Sequence, residues 1–372
     1  TTLFRSTLSQ TTWTFSLAIL MLGLSAGFLG SFAEKIGPKK SGLLAMVFWV
    51  AGLFGTAYAL SIHSLTLLYL FYGIIGGIGL GIGYITPVST LVKYFPNRPG
   101  FATGLAIMGF GFASLIAGPL MQYLVAHVGL VNNFIILGIT YLIVMSASSL
   151  YLKAPTPKEP IRSNQDKSTM YVHNHGMLAN DAMKTWQFSA LWWVFFVNIT
   201  CGIGLLSLAS PMAQETISMT PAAAASLVGI IGIFNGGGRI VWSTISDFLG
   251  RAQTYILFFI MEIIAFYLLS QTNSALTFQI LILLIITCYG GGFSCMPAYL
   301  ADLYGIRQLS TIHGRILTAW GLAGIAGPMI VSYFHEAGYG YSMALVCFAG
   351  LFVLNTIIAI VLQMYGKRDL HS

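Results

Sequence analysis

Eleven separate apolar runs leave this chain little choice of architecture. They fall at roughly 12–33, 42–60, 65–89, 101–125, 133–152, 187–210, 222–246, 254–271, 277–301, 312–334 and 342–365. A helix needs about 20 such residues to cross a bilayer. Lipid offers no water to the backbone, so each run must satisfy its own N–H and C=O groups as a helix. Only 7% of the residues are charged, against about 25% in soluble domains. The pattern predicts an all-α, multi-pass membrane protein whose first partner is the lipid bilayer. The connection at 61–64 is short enough to make a tight hairpin. The one long polar stretch, 153–186, is rich in Pro, Lys, Ser and Asn. It reads as a linker between an N-terminal part, 1–152, and a C-terminal part, 187–372.

The formal charge of +7 does not point to nucleic acid. The bases collect in short loops on one side: Lys35, Lys39, Lys40, Lys93, Arg98, the linker cations, Arg251, Arg307, Arg315, Lys367 and Arg368. The other side holds only Arg5. The positive-inside rule makes the rich side cytoplasmic, with the C-terminus, and places the protein in the plasma (cytoplasmic) membrane. Cys201, Cys288, Cys295 and Cys347 lie in apolar runs without metal-type spacing and read as small hydrophobic residues. No cofactor or metal is expected.

Arg239 lies inside the run AAAASLVGIIGIFNGGGRIVWSTIS, away from the predicted membrane boundaries that hold the other bases. An Arg at that depth costs about 2.5–3.5 kcal/mol or more, so it is kept off lipid and is paired or used. An anion site in a transport pathway is the first reading. A structural Arg held by backbone carbonyls is the other. Asn235, four residues earlier, shares its helical face.

The two halves repeat. Glu34 and Asp247 lie 213 residues apart, each three residues before a Gly and then a base. Pro87 and Pro297 are 210 apart, and Pro119 and Pro328, each after a Gly, are 209 apart. Three anchors at nearly one offset indicate parallel repeats of the kind found in large secondary transporters. The helix at 187–210 has no mate in the first half, because Thr1 already corresponds to Gln214. The repeat therefore predicts 12 helices in two bundles of six, of which 11 are present and the first is missing. Arg239 is not duplicated: its mate is Ala26.

These paired turns and Gly-Pro pairs resemble those of the major facilitator superfamily across essentially the whole chain. The resemblance implies two pseudo-symmetric helix bundles and transport by alternating access. Lys93-Tyr94-Phe95-Pro96-Asn97-Arg98-Pro99-Gly100 and Asn235-Gly236-Gly237-Gly238-Arg239 narrow it, together with Tyr304-Gly305 and His313-Gly314-Arg315 through Trp320-Gly321. They resemble the oxalate/formate antiporter and monocarboxylate transporter group. In that group the Arg eight residues before the loop Asp binds the substrate carboxylate, and Arg239 matches it. Trp320 stands where the oxalate antiporter carries a Lys. A dicarboxylate needs two counter-charges in a low-dielectric cavity, so this departure favours a small monocarboxylate such as lactate, pyruvate or formate. An oxalate/formate-type antiporter and a carrier of an unrelated small solute stay open. So does the choice between proton symport and anion exchange.

Glu34, Lys35, Lys39, Asp247 and Arg251 are expected to act as gating contacts, bridging helix ends in one state and releasing in another. Tyr84, Tyr289 and Trp320 are candidates for the cavity wall beside Arg239 and Asn235. The ladder Gly73, Gly77, Gly81 and the pairs Gly23/Gly27 and Gly232/Gly236 allow close helix packing. Glu262 sits mid-helix, either as a proton carrier or as a hydrogen-bonded packing residue. A channel would need a charged ring, and an enzyme clustered catalytic groups. His313 and Asp302 share a helix end but are expected to lack partners there. The protein is not expected to be an enzyme, and a monomer is expected.

Overall fold

The computed structural model of the protein describes residues 8–95, 97–153 and 176–365, and all eleven expected runs are helical. Arg5, Pro96, the linker residues 154–175, Lys367 and Arg368 lie outside the described residues. Among the described residues there is no strand. The helices are α1 (Leu8–Ser61), α2 (Leu65–Tyr94), α3 (Pro99–Tyr151), the short α4 (Ala179–Ala182), α5 (Trp186–Ile217), α6 (Pro221–Leu249), α7 (Arg251–Gln271), α8 (Ala275–Tyr304), α9 (Leu309–Glu336) and α10 (Gly340–Tyr365).

Among the described residues eight helices are long and apolar enough to cross a membrane, and the two longest, Trp13–Ser61 and Pro99–Tyr151, each hold two expected spans. Glycine joins the spans inside them. Gly37 takes φ 81 in α1 and Gly129 takes φ 81 in α3. Only glycine enters that region without a steric cost, and Pro38 then opens the next helix with its φ already set. The repeat appears in these turns. Gly37 lies 213 residues before Gly250 (φ 95), and Gly129 lies 209 before Gly338 (φ 83). α6 has 29 residues, enough for about 43 Å, although Asn235, three glycines and Arg239 make it less apolar.

The described chain forms two compact units. The first gathers residues 1–94, 117–182 and 304–321; the second gathers 95–116, 183–303 and 322–372. The chain passes from one unit to the other within α3, at 116/117, and within α9, at 321/322, as well as at helix ends.

In the first unit the Gly73, Gly77, Gly81 ladder of α2 faces α1. A Cβ on Gly77 would stand 2.7 Å from Met21 Cβ and 2.8 Å from the Ala18 carbonyl. α1 turns its other glycines to α9: a Cβ on Gly23 would stand 2.6 Å from the Leu317 carbonyl, and one on Gly30 2.8 Å from that of Ser310. The second unit packs aromatics instead. Phe258, Phe259, Phe266, Phe348 and Phe352 are fully buried, and Phe266 stacks on Phe352 at 5.6 Å. Cys201, Cys288 and Cys295 are buried and free, as small hydrophobic residues are.

Candidate functional site

Arg239 is 4% exposed, inside the second unit. Its Nε donates to Asn235 Oδ1 at 3.2 Å, one helical turn earlier. One terminal nitrogen donates to the Ile107 carbonyl of α3 at 3.3 Å. Its Cζ stands 4.9 Å from the centroid of the Phe293 ring on α8. A cation held over an aromatic face gains about 2 kcal/mol or more once desolvated. The backbone is braced too, since the Arg239 carbonyl accepts from Ser294 Oγ at 2.8 Å and from Ser243 Oγ.

Two glycines make room for this arrangement. A Cβ on Gly290 of α8 would stand 2.9 Å from Asn235 Oδ1 and 3.3 Å from Arg239 Cγ. A Cβ on Gly104 of α3 would stand 2.6 Å from the Arg239 carbonyl. Tyr289 is buried in the same unit, its ring 6.5 Å from Phe293 and within electrostatic reach of the guanidinium. Arg239, Asn235 and Tyr289, named from the sequence, are thus grouped. Gly290, Phe293 and the Ile107 carbonyl complete the group, and sequence reasoning missed all three. Phe293 is one aromatic among 25 phenylalanines, and a carbonyl donated by Ile107 leaves no mark on residue identity.

Tyr84 and Trp320 meet in the first unit. Their rings lie 5.4 Å apart at 64°, and the Tyr84 ring is 5.8 Å from that of His313. His313 and Trp320 are seven residues apart, two turns along α9, so they share a face on either side of Tyr84. His313 is 1% exposed and its Nε2 has no hydrogen-bond partner.

The two turns of the repeat hold different charge clusters. Glu34 pairs with Lys93 of α2 at 3.0 Å, with side chains 19% and 29% exposed. Lys35 and Lys39 stay exposed, and Lys35 lines a shallow cavity with Glu34 and Arg307. A second cavity of about 120 Å³ beside the Glu34–Lys93 pair is lined by Ser41, Thr86, Ser89 and Thr90.

Asp247 is tied more tightly. It pairs with Arg251 at 2.6 Å, and its two oxygens accept from the Gly100 and Phe101 amides at 2.8 and 2.9 Å. Those amides open α3, where backbone N–H groups lack partners and negative charge is favoured. Arg251 also reaches Asp302 at 2.9 Å and Ser246 Oγ. Asp302, expected to lack a partner, therefore has one. Lys93 and Asp302 are 209 residues apart, the offset of Pro119 and Pro328. The same helix end carries a base in one half and an acid in the other. In the second half Arg251 bridges two acids.

Among the described residues no cluster of His, Cys, Asp and Glu suits a metal. Glu262 is buried on α7, and its Oε2 has no hydrogen-bond partner.

The chain is 27% identical to YhjX of Escherichia coli K12, an uncharacterized transporter of the MFS type, over 85% of this chain and 77% of that one. It is 25% identical to the oxalate:formate antiporter of Oxalobacter formigenes, over 86% of this chain and 73% of that one. It is 21% identical to human monocarboxylate transporter 14, over 97% of this chain and 84% of that one. The crystal structure of the E. coli fucose:proton symporter FucP matches with a TM-score of 0.72 at 14% identity, covering 95% of this chain and 92% of that one, a likeness of fold alone. The model of the Major Facilitator Superfamily matches residues 2–252 and again 191–370. With its repeated glycine turns, its paired Gly-Pro helices and a family match across both halves, the chain belongs to the Major Facilitator Superfamily and is a membrane transporter, not an enzyme.

Proposed function

We propose that this protein is a secondary transporter of small monocarboxylate anions, of the size of formate, lactate or pyruvate. The carrying observation is the Arg239 fork, buried 4% exposed and held between Asn235, the Ile107 carbonyl and the Phe293 ring. A guanidinium so oriented is set to take a carboxylate bidentately at little further cost in side-chain freedom. The Ile107 carbonyl lends something to the structural reading of Arg239 as well, and a transport assay separates the two. Asn235 and Tyr289 accompany Arg239 in the second unit, and Tyr84 and Trp320, in the first, are proposed as substrate contacts too.

The two sequence halves, 1–152 and 187–372, act as bundles that alternate the access of this site from one side to the other. The ion pairs at Glu34 and Asp247 gate that motion, with Lys35, Lys39 and Arg251 as their basic surroundings. The protein works as a monomer in the plasma membrane with its C-terminus in the cytoplasm. Proton symport and anion exchange both suit this site. The second reading, an oxalate-type exchanger, is favoured by the 25% identity to the oxalate:formate antiporter. An apolar Trp320 in place of a second cation weighs against it.

Uptake of labelled formate, lactate, pyruvate and oxalate into proteoliposomes tests this. Saturable uptake of a monocarboxylate, little inhibited by oxalate, is expected. Arg239→Ala should abolish it in a protein that still elutes as one species, and Arg239→Lys should lose most of it, since an ammonium has no fork. Undiminished uptake by Arg239→Ala would sink the carboxylate site, and preference for oxalate would favour the exchanger.

A further inference from the structure

One helix crossing is built twice in this protein. In the first unit the α1 glycines approach α9, Gly23 against the Leu317 carbonyl and Gly321, and Gly314 abuts the Ala26 carbonyl. In the second unit α3 runs antiparallel along α6. Gly111 abuts the backbone of Gly236, Gly104 the Arg239 carbonyl, and Gly100 the Ser243 carbonyl. The offsets match: Gly23 and Gly236 are 213 apart, and Phe112 and Gly321 are 209 apart. The ionisable groups differ. The second crossing carries Arg239 and Gly104 where their mates in the first are Ala26 and His313.

In the second crossing a chain of hydrogen bonds reaches from Arg239 to Asp247. Ser294 of α8 donates to the Arg239 carbonyl at 2.8 Å, and its own carbonyl accepts from the Thr103 hydroxyl of α3 at 2.7 Å. Thr103 lies just inside the helix start whose Gly100 and Phe101 amides Asp247 holds. One turn further, the Ile107 carbonyl accepts from the Arg239 guanidinium. All of these residues belong to the second unit, and Thr103 and Ser294 are buried. Each of the two hydroxyls has another acceptor within its own helix. For Thr103 it is the Gly100 carbonyl at 2.8 Å, and for Ser294 the Gly291 carbonyl at 3.1 Å. A hydroxyl has one hydrogen and rotates to place it. Each can therefore release the neighbouring helix without stranding a buried donor. The chain, like Arg239, is not duplicated. The mates of Thr103, Ser294 and Arg239, at offsets of 209, 210 and 213, are Ile312, Tyr84 and Ala26.

We propose that Thr103 and Ser294 are positioning residues, a releasable relay that couples carboxylate capture at Arg239 to the Asp247 tie on α3. This rests on the transport reading above. Without substrate, the Ile107 carbonyl takes a guanidinium N–H that a carboxylate would claim. Capture of the carboxylate draws the guanidinium off Ile107, and the Arg239 backbone follows. Ser294 and Thr103 then turn to the Gly291 and Gly100 carbonyls. The start of α3 keeps its bonds to Asp247 but loses its hold on α8 and Arg239, so its amides open more often. The coupling is reciprocal, since each site shifts the equilibrium that the other shares.

Amide hydrogen exchange on the purified protein reads this tie, since Gly100 and Phe101 exchange only when their bonds to Asp247 open. Lactate, pyruvate and formate are the probes, and calorimetry measures their binding in parallel. In the wild type a saturating probe should speed exchange of the peptide containing Gly100 and Phe101 about fivefold or more. Thr103→Val keeps the side-chain shape and removes the hydroxyl. It should still bind the probe but lose the response, and Thr103→Ser should recover it. Ser294→Ala breaks the chain one bond further on and should lose the response too, should the first variant pack badly. Monodisperse elution marks folded variants. A hydroxyl that merely stabilised the fold would alter basal exchange and leave the response to the probe intact. Exchange in the wild type that ignores a bound probe overturns the relay. So does a response that survives in folded Thr103→Val or Ser294→Ala, or that Thr103→Ser fails to recover. These results leave the carboxylate site standing. Failure of all three probes to bind the wild type brings down the transport reading itself, and the relay with it.

Discussion

At the scale of the residue, Arg239 was legible because an apolar run makes any charge conspicuous and its cost demands a use. Its surroundings were not, because Gly290 acts by what it lacks. Gly290→Ala would set a Cβ 2.9 Å from Asn235 Oδ1, and overpacking of this kind costs about 1–3 kcal/mol. The expected outcome is a folded protein whose apparent affinity for a monocarboxylate drops about tenfold or more. Wild-type affinity in that variant would mean that the Asn235–Arg239 contact does not shape the site. Trp320 is the other decisive position. Trp320→Lys places an ammonium beside Tyr84 and should shift selectivity toward dicarboxylates. Competition of oxalate against labelled lactate measures it, and an unmoved inhibition constant would remove Trp320 from the substrate site.

At the scale of the element, the eleven helical runs were legible from run length alone, since lipid permits little else. The boundaries between them were less so. The links at Gly37 and Gly129 are single residues at φ 81, and helix continues on both sides through residues that the apolar runs leave out. The acids of the two repeated turns were legible as a motif. Their partners were not, since Lys93 looked like one more cytoplasmic base and Asp302 like an isolated acid.

The structure ranks the two turns. Glu34–Lys93 is part-exposed, and pairs of that kind contribute about 0–1 kcal/mol. Asp247 and Arg251 are 5% and 7% exposed, and Asp247 also holds two amides of α3. Breaking a buried pair costs about 3–5 kcal/mol. Asp247→Asn should therefore lower thermal stability in detergent far more than Glu34→Gln. Equal effects would show that Asp247 is not the stronger tie.

At the scale of the whole molecule, the repeat is what makes one sequence readable against itself. Offsets found between acids and prolines return in the structure as paired glycine turns, Gly37 with Gly250 and Gly129 with Gly338. They also return as two crossings with different ionisable groups. The crossings themselves could not be read, because glycine spacing marks a face without naming the helix that meets it. If access alternates, such crossings close and open once per cycle, and glycine lets the closed form reach backbone contact. The two are not equally tolerant. A Cβ at Gly23 would stand 2.6 Å from the Leu317 carbonyl and 2.9 Å from the Gly321 amide, both backbone. One at Gly236 would stand 2.7 Å from the Phe112 ring, a side chain that can turn aside. Gly23→Ala should thus penalise closure by about 1–3 kcal/mol and slow turnover about tenfold or more, while equilibrium binding of the carboxylate persists. Gly236→Ala should transport nearer to wild type. Turnover in Gly23→Ala as fast as in the wild type would mean that the α1–α9 crossing stays open or closed throughout, and alternating access would then need another moving contact.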